Sequence, residues 1–166
     1  MSRTMTVSDS LVIAADPQAL YDEVSDPSRM GAWSPENRGA DLREPGRPAY
    51  VGMSFVGHNQ RGRIRWQTRC TVTAADPGRR FAFDVHQIGI KVPVLPISIA
   101  TWEYRFEPVE GGTLVTETWT DGRSRWPDFM ARRVDKVVTG GRTFPEFQTR
   151  NIARTLARLK QDFESR

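Results

Sequence analysis

The residues able to do acid–base, metal or nucleophilic chemistry are few in this chain, and they are scattered along it. There are two histidines, His58 and His86, and one cysteine, Cys70. Neither histidine has a Cys, an Asp or a second His at metal-binding spacing, so no metal is expected. Asp84 and His86 are two apart on a strand pattern and share a face. The parity of Phe81, Phe83 and Val85 makes that face the outer one. Cys70 sits in an alternating apolar run and reads as a small buried hydrophobe rather than a reactive thiol. No glycine-rich loop opens a helix after a parallel strand, so no cofactor is expected.

Glu117 is the exception worth following. In Thr113–Trp119 it shares one strand face with Val115 and Trp119. If that face is the inner one, the carboxyl points into the interior, where desolvation favours its neutral form unless an Arg lies nearby. Such a group could orient a ligand hydroxyl or act as a general acid or base. If Leu114 points inward instead, Glu117 is solvated; the alternation leaves both open. Tyr104 is the other weak catalytic candidate, and its hydroxyl is the best placed for a specific hydrogen bond.

Certain elements must hold these groups. Thr6–Ala14 reads as a strand. Asp16-Pro17 and Asp26-Pro27 each combine an N-cap with Pro at the first helical position and open two short helices, the second running toward Trp33. Residues 36–48, rich in Gly, Pro and charge, read as a loop. Strands follow over 50–59, with Gly52 and Gly57 suggesting bulges, and over 63–74, 80–88, 99–107 and 113–120. Asp76-Pro77-Gly78 and Glu110-Gly111-Gly112 supply turns. Residues 89–96 hold three breakers and read as a mobile connection. Phe129, Val134, Val137 and Val138 have helical spacing over 128–138, ended by Thr139-Gly140-Gly141. From Pro145 to about Glu164 runs a long helix with one stripe of Ile152, Leu156, Leu159 and Phe163, opposite a solvated face of Arg150, Arg154, Arg158 and Asp162.

Runs of strands followed by a long helix indicate an α+β helix-grip domain spanning residues 1–166: a curved antiparallel sheet of six to seven strands, two short helices, and a long C-terminal helix over an internal cavity. One helix covers only part of so wide a sheet, so the sheet must curl and leave space inside. Trp33, Trp66, Phe83, Trp102, Tyr104 and Trp119, together with Glu117, are the expected walls. Aromatic walls with few polar tips suit a flat apolar ligand.

Composition narrows the function classes. Apolar residues make up 38% and charged residues 27% of 166, as in a soluble globular protein. No apolar run approaches the length of a membrane span. The single cysteine and the lack of a secretory signal fit a cytoplasmic location. The net charge of +4 comes from Arg spread along the chain and interleaved with 20 acids, with Lys only at 91, 136 and 160. Arg61, Arg63, Arg65 and Arg69 alternate with apolar residues as the solvated face of a strand does. Nucleic acid is therefore not an expected partner.

The sequence also resembles a known group of proteins. Matching segments are Ile13–Pro17, Asp26-Pro27 leading to Trp33-Ser34-Pro35, Val51-Gly52, Gly57–Gly62 with Trp66 beyond it, Asp76–Phe83, Trp102-Glu103-Tyr104, Gly111-Gly112-Thr113, and Thr155-Leu156 through Lys160. They cover nearly the whole chain and resemble the START-like superfamily, which includes plant pollen allergens, and within it the bacterial polyketide cyclase/dehydrase-like branch. The resemblance implies the helix-grip fold. It implies no single catalytic motif, since this fold hosts binding, transport and catalysis in the same pocket. The stretch 121–143 is longer than the resemblance implies and is read as a lid or a reshaping of the cavity mouth. Two functions stand: binding or carriage of a small apolar ligand (lipid, polyketide or aromatic metabolite), by a monomer or homodimer, or a cyclase, aromatase or dehydratase using the same cavity. An interaction module is the third possibility.

Overall fold

Local capping chemistry sets the helix starts. In a computed structural model that describes residues 2–166, the Asp16 carboxylate accepts from Gln18 N and Ala19 N at 2.9 and 3.3 Å and starts α1 (Pro17–Val24). Asp26 caps a 3-10 helix over Pro27–Ala32 in the same way. These caps satisfy backbone N–H groups that the first helical turn leaves unpaired.

Seven strands form one antiparallel sheet: β1 (Thr6–Ile13), β2 (Asn37–Leu42), β3 (Ser54–Arg61), β4 (Ile64–Asp76), β5 (Arg80–Gly89), β6 (Leu95–Val109) and β7 (Gly112–Asp121). Their order is β1-β7-β6-β5-β4-β3-β2, so the hairpins run in sequence and β1 returns to close against β7. The tight turns use the residues expected, with Gly78 at φ +66° after Pro77. Two helices follow the sheet, α2 (Asp128–Thr139) and α3 (Phe144–Glu164). Thr143 and Glu146 cap α3 reciprocally, with Pro145 in its first turn. The fold is the α+β helix grip that the strand order and the helical stripe indicate.

Several expectations need correcting. Residues 37–42 are a strand, not a loop: β2 pairs antiparallel with β3. Asn, Arg, Gly and Asp give it little intrinsic strand preference, and it is an edge strand with a register shift between Asn37 and Ala40. The irregularity near Gly57 thus belongs to β2, since β3 pairs with β4 in unbroken register. On β5, Arg69 opposes Gln87 while Cys70 opposes Val85, so His86 is an extra residue on that strand. This bulge shifts the alternation: Phe83 and Val85 line the cavity before it, Ile88 after it. On α2 the apolar residues that announce the helix are not its buried side. Phe129, Met130, Val134, Val137 and Val138 are exposed, and the helix docks through Ala131 and Asp135.

A buried ionic cluster anchors that docking. Arg123 grips Asp121 with Nε at 3.0 Å and Nη2 at 2.8 Å and reaches Asp135 with Nη1 at 2.8 Å. Asp135 in turn accepts from Phe144 N at 3.0 Å, and Arg3 lies 3.5 Å from Asp121. The end of β7, α2 and the start of α3 are thereby held in one geometry. Ile152, Leu156 and Leu159 are fully buried on the sheet side of α3, with Phe163 partly buried beyond them.

Candidate functional site

Between the concave sheet face and α3 lies a cavity of about 450 Å³. Strands β3 to β7 contribute through their inward alternation. Trp66, Thr68 and Cys70 come from β4, Phe83 and Val85 from β5, Trp102 and Tyr104 from β6, Glu117 and Trp119 from β7. Trp33, which follows the 3-10 helix, completes the set. The structure thus brings all seven residues singled out as walls to one cavity.

Glu117 points inward. β7 alternates strictly, with Thr113, Val115, Glu117, Trp119 and Asp121 buried and their neighbours partly exposed. In register across the sheet, Glu117 stands opposite Tyr104. The Tyr104 hydroxyl donates to Glu117 Oε1 at 2.9 Å, and Glu117 is only 2% exposed. Its second oxygen, Oε2, is buried without a hydrogen-bond partner. Among the described residues, no cation pairs with it. Burial pushes its pKa up to about 8, an effect that the bond from Tyr104 only partly offsets. Burial, followed by the facing carboxyl, raises Tyr104 well above its ordinary value, so its proton stays on oxygen.

Trp33 carries the second unsatisfied group. It is 1% exposed, its Nε1–H has no partner, and its ring packs edge-on against Tyr104 with centroids 5.9 Å apart. Two polar atoms therefore flank Tyr104, both buried and both unpaired. Buried polar atoms are nearly always satisfied by protein or solvent, so such a pair marks where a ligand atom or an ordered water belongs.

Other lining residues carry little sequence signal. Gln148, Asn151 and Thr155 are buried on α3 beside its apolar stripe and form a polar strip along the cavity. Their helical spacing was visible, but polar residues next to an apolar stripe ordinarily read as its margin. Glu36 and Arg61 pair with each other, and Asn151 Nδ2 reaches Glu36 Oε2 at 3.3 Å. Arg61 Nη1 donates to the Val138 carbonyl at 2.8 Å, and its guanidinium lies 4.0 Å from the Phe147 ring centre. The C-terminal end of α2 is thereby tied to β3. Exposed side chains of Ile64, Ile90, Val137 and Val138 also line the cavity and form its mouth. The segment 121–143 thus contributes to the entrance through Val137 and Val138.

The remaining candidates lie elsewhere. Asp84 accepts from Thr101 Oγ1 at 2.7 Å, and His86 Nε2 sits 2.8 Å from Thr71 Oγ1, both outside the cavity. His58 pairs with Asp41 on the outer surface. Cys70 is in the wall, but burial pushes its thiol up to about 12, which leaves it inert as a nucleophile near neutrality. Among the described residues, no helix is long and apolar enough to cross a membrane.

Residues 4–164 match the family described as polyketide cyclase/dehydrase and lipid transport. No curated protein matches the chain. Among solved structures, the Polyketide_cyc-like protein of Corynebacterium glutamicum is 30% identical, with 99% of this chain and 94% of that one covered and a TM-score of 0.58. A START superfamily protein from Mycobacterium smegmatis shares the fold at 14% identity and a TM-score of 0.67, covering 98% and 99% of the two chains. A protein of Nitrosomonas europaea does so at 12% identity and a TM-score of 0.66, covering 97% and 95%.

Proposed function

The chain belongs to the polyketide cyclase/dehydrase and lipid transport family, and from that premise we propose that it binds a small, largely apolar molecule in the cavity between sheet and α3. One observation carries this reading: an aromatic-walled space of about 450 Å³ in which Trp33 Nε1 and Glu117 Oε2 are buried and unpaired. Apolar walls supply affinity through burial, and a few convergent polar atoms fix orientation. Native mass spectrometry of gently purified protein, followed by organic extraction, tests it. A stoichiometric small molecule, lost when Val85→Trp fills the cavity, is the expected result. A protein that emerges empty and takes up no apolar fluorophore would overturn the reading.

A second reading, an enzyme of the cyclase or dehydratase kind, is favoured by Glu117. A carboxyl pushed up to about 8 is protonated near neutral pH and able to donate that proton to a substrate oxygen. The distinction is kinetic. Turnover that vanishes in Glu117→Gln while ligand affinity persists supports the enzyme; an unchanged bound ligand after long incubation supports the carrier.

A further inference from the structure

We infer that the cavity selects a ligand presenting a neutral carbonyl oxygen, a ketone or an ester, which accepts hydrogen bonds from both Trp33 Nε1–H and the Glu117 carboxyl. The inference rests on the cavity being a ligand site and goes further, to the chemistry at its polar end.

It follows from counting donors and acceptors. Tyr104 has one hydroxyl hydrogen, and it is spent on Glu117 Oε1. An indole N–H only donates. A carboxyl with no cation beside it, sealed among aromatic rings, is held as the acid, so its free oxygen also carries a hydrogen. The groups around it supply no compensating charge. Tyr104 on β6 is neutral, Asp9, the register partner of Glu117 on β1, is exposed and acidic, Arg65 of β4 lines the cavity as an exposed side chain, and the cavity-facing side chains of α3 are the uncharged Phe144, Gln148, Asn151 and Thr155. Glu36 and Arg61 neutralise each other. The site therefore offers two buried hydrogen-bond donors beside Tyr104, both without an acceptor. A carbonyl oxygen, with two lone pairs and no hydrogen, satisfies both at once. An alkane leaves both unpaired, and a carboxylate brings an uncompensated charge into an apolar chamber.

The test uses three probes of one shape: 2-acetylnaphthalene, 2-isopropylnaphthalene and 2-naphthoate. At about pH 6.5 the ketone is expected to bind about tenfold tighter than the hydrocarbon, the return on two net hydrogen bonds, and tighter than the carboxylate. Its carbonyl stretch should move to lower frequency on binding. Raising the pH to about 9.5 ionises Glu117 and removes one donor, so the ketone preference should fall. Glu117→Gln keeps an acceptor for Tyr104 and an N–H donor at every pH, so its preference should persist at about pH 9.5. Trp33→Phe should reduce the preference while leaving hydrocarbon affinity intact, which also reports that the variant folds; should it not fold, the Glu117→Gln pH comparison decides alone. Equal binding of ketone and hydrocarbon, a preference independent of pH, or tighter binding of naphthoate would each overturn the inference while leaving an apolar ligand site standing. Failure of all three probes to bind would overturn both.

Discussion

At the residue scale, Glu117 decides the character of the site, and its environment makes a stability prediction. Its folded pKa is raised to about 8 from an ordinary value of 4.5. A raised carboxyl favours the folded state fully below the unfolded value. As pH climbs from about 4.5, the unfolded chain releases its proton and the folded chain does not, so stability drains until the folded group also ionises near pH 8. The slope approaches about 1.4 kcal/mol for each pH unit inside that window. Glu117→Gln removes the titration, so chemical denaturation at several pH values should show the variant gaining on the native protein from about pH 5 to about pH 8 and running parallel above. A constant offset would mean that the carboxyl is ionised when folded. Tyr104→Phe should cost about 1–3 kcal/mol in the same assay by leaving Glu117 Oε1 unpaired as well. The sequence made Glu117 a candidate because Val115 and Trp119 share its face. It left the direction open because Leu114 makes the opposite face apolar too. That Trp33 Nε1 is buried without a partner was invisible, since whether an indole finds one depends on packing between distant segments.

At the scale of elements, α2 is the least conventional piece. Most of its apolar residues are exposed, Ala131 alone is a buried apolar contact, and its attachment is otherwise polar, through Asp135 to Arg123 and through the Val138 carbonyl to Arg61. Asp135→Ala leaves Arg123 Nη1 without its acceptor, one carboxylate short of balancing Arg3 and Arg123, and frees Phe144 N. Breaking a buried pair from one side costs about 3–5 kcal/mol, so a fall in Tm and rapid hydrogen exchange across 128–139 are expected, with the strand amides changing less. Equal loosening of the sheet would show that the cluster supports the whole fold and not α2 alone. The strands with strong alternation, 63–74 and 113–120, were legible to within a residue or two. β2 was not, because an edge strand with one ladder and a bulge needs little strand preference of its own. Nor was the bulge at His86, because a register shift is a relation between two strands and leaves no mark on the pattern of one.

At the scale of the whole molecule, the sheet and α3 enclose more space than their side chains fill, and that makes a cavity-filling substitution unusual here. In a close-packed core, added atoms force strain that typically costs 1–3 kcal/mol. Cys70 lines the chamber and its thiol makes only a weak contact, to Thr68 Oγ1 at 3.8 Å. Cys70→Phe should therefore extend into free volume, holding or raising Tm while excluding the ligand. Conversely, a bound ligand should raise the Tm of the native protein by mass action, by about 2.7 kcal/mol of stability at a hundredfold excess over Kd. Thermal shifts with 2-acetylnaphthalene, read side by side on the two proteins, check this: a shift in the native chain and none in Cys70→Phe. An equal shift in both would place the ligand outside the chamber, on the exposed apolar rim of Ile64, Ile90 and Val137. Fold and interior would then be separate matters, with the grip explained by packing and the aromatic walls by core formation alone.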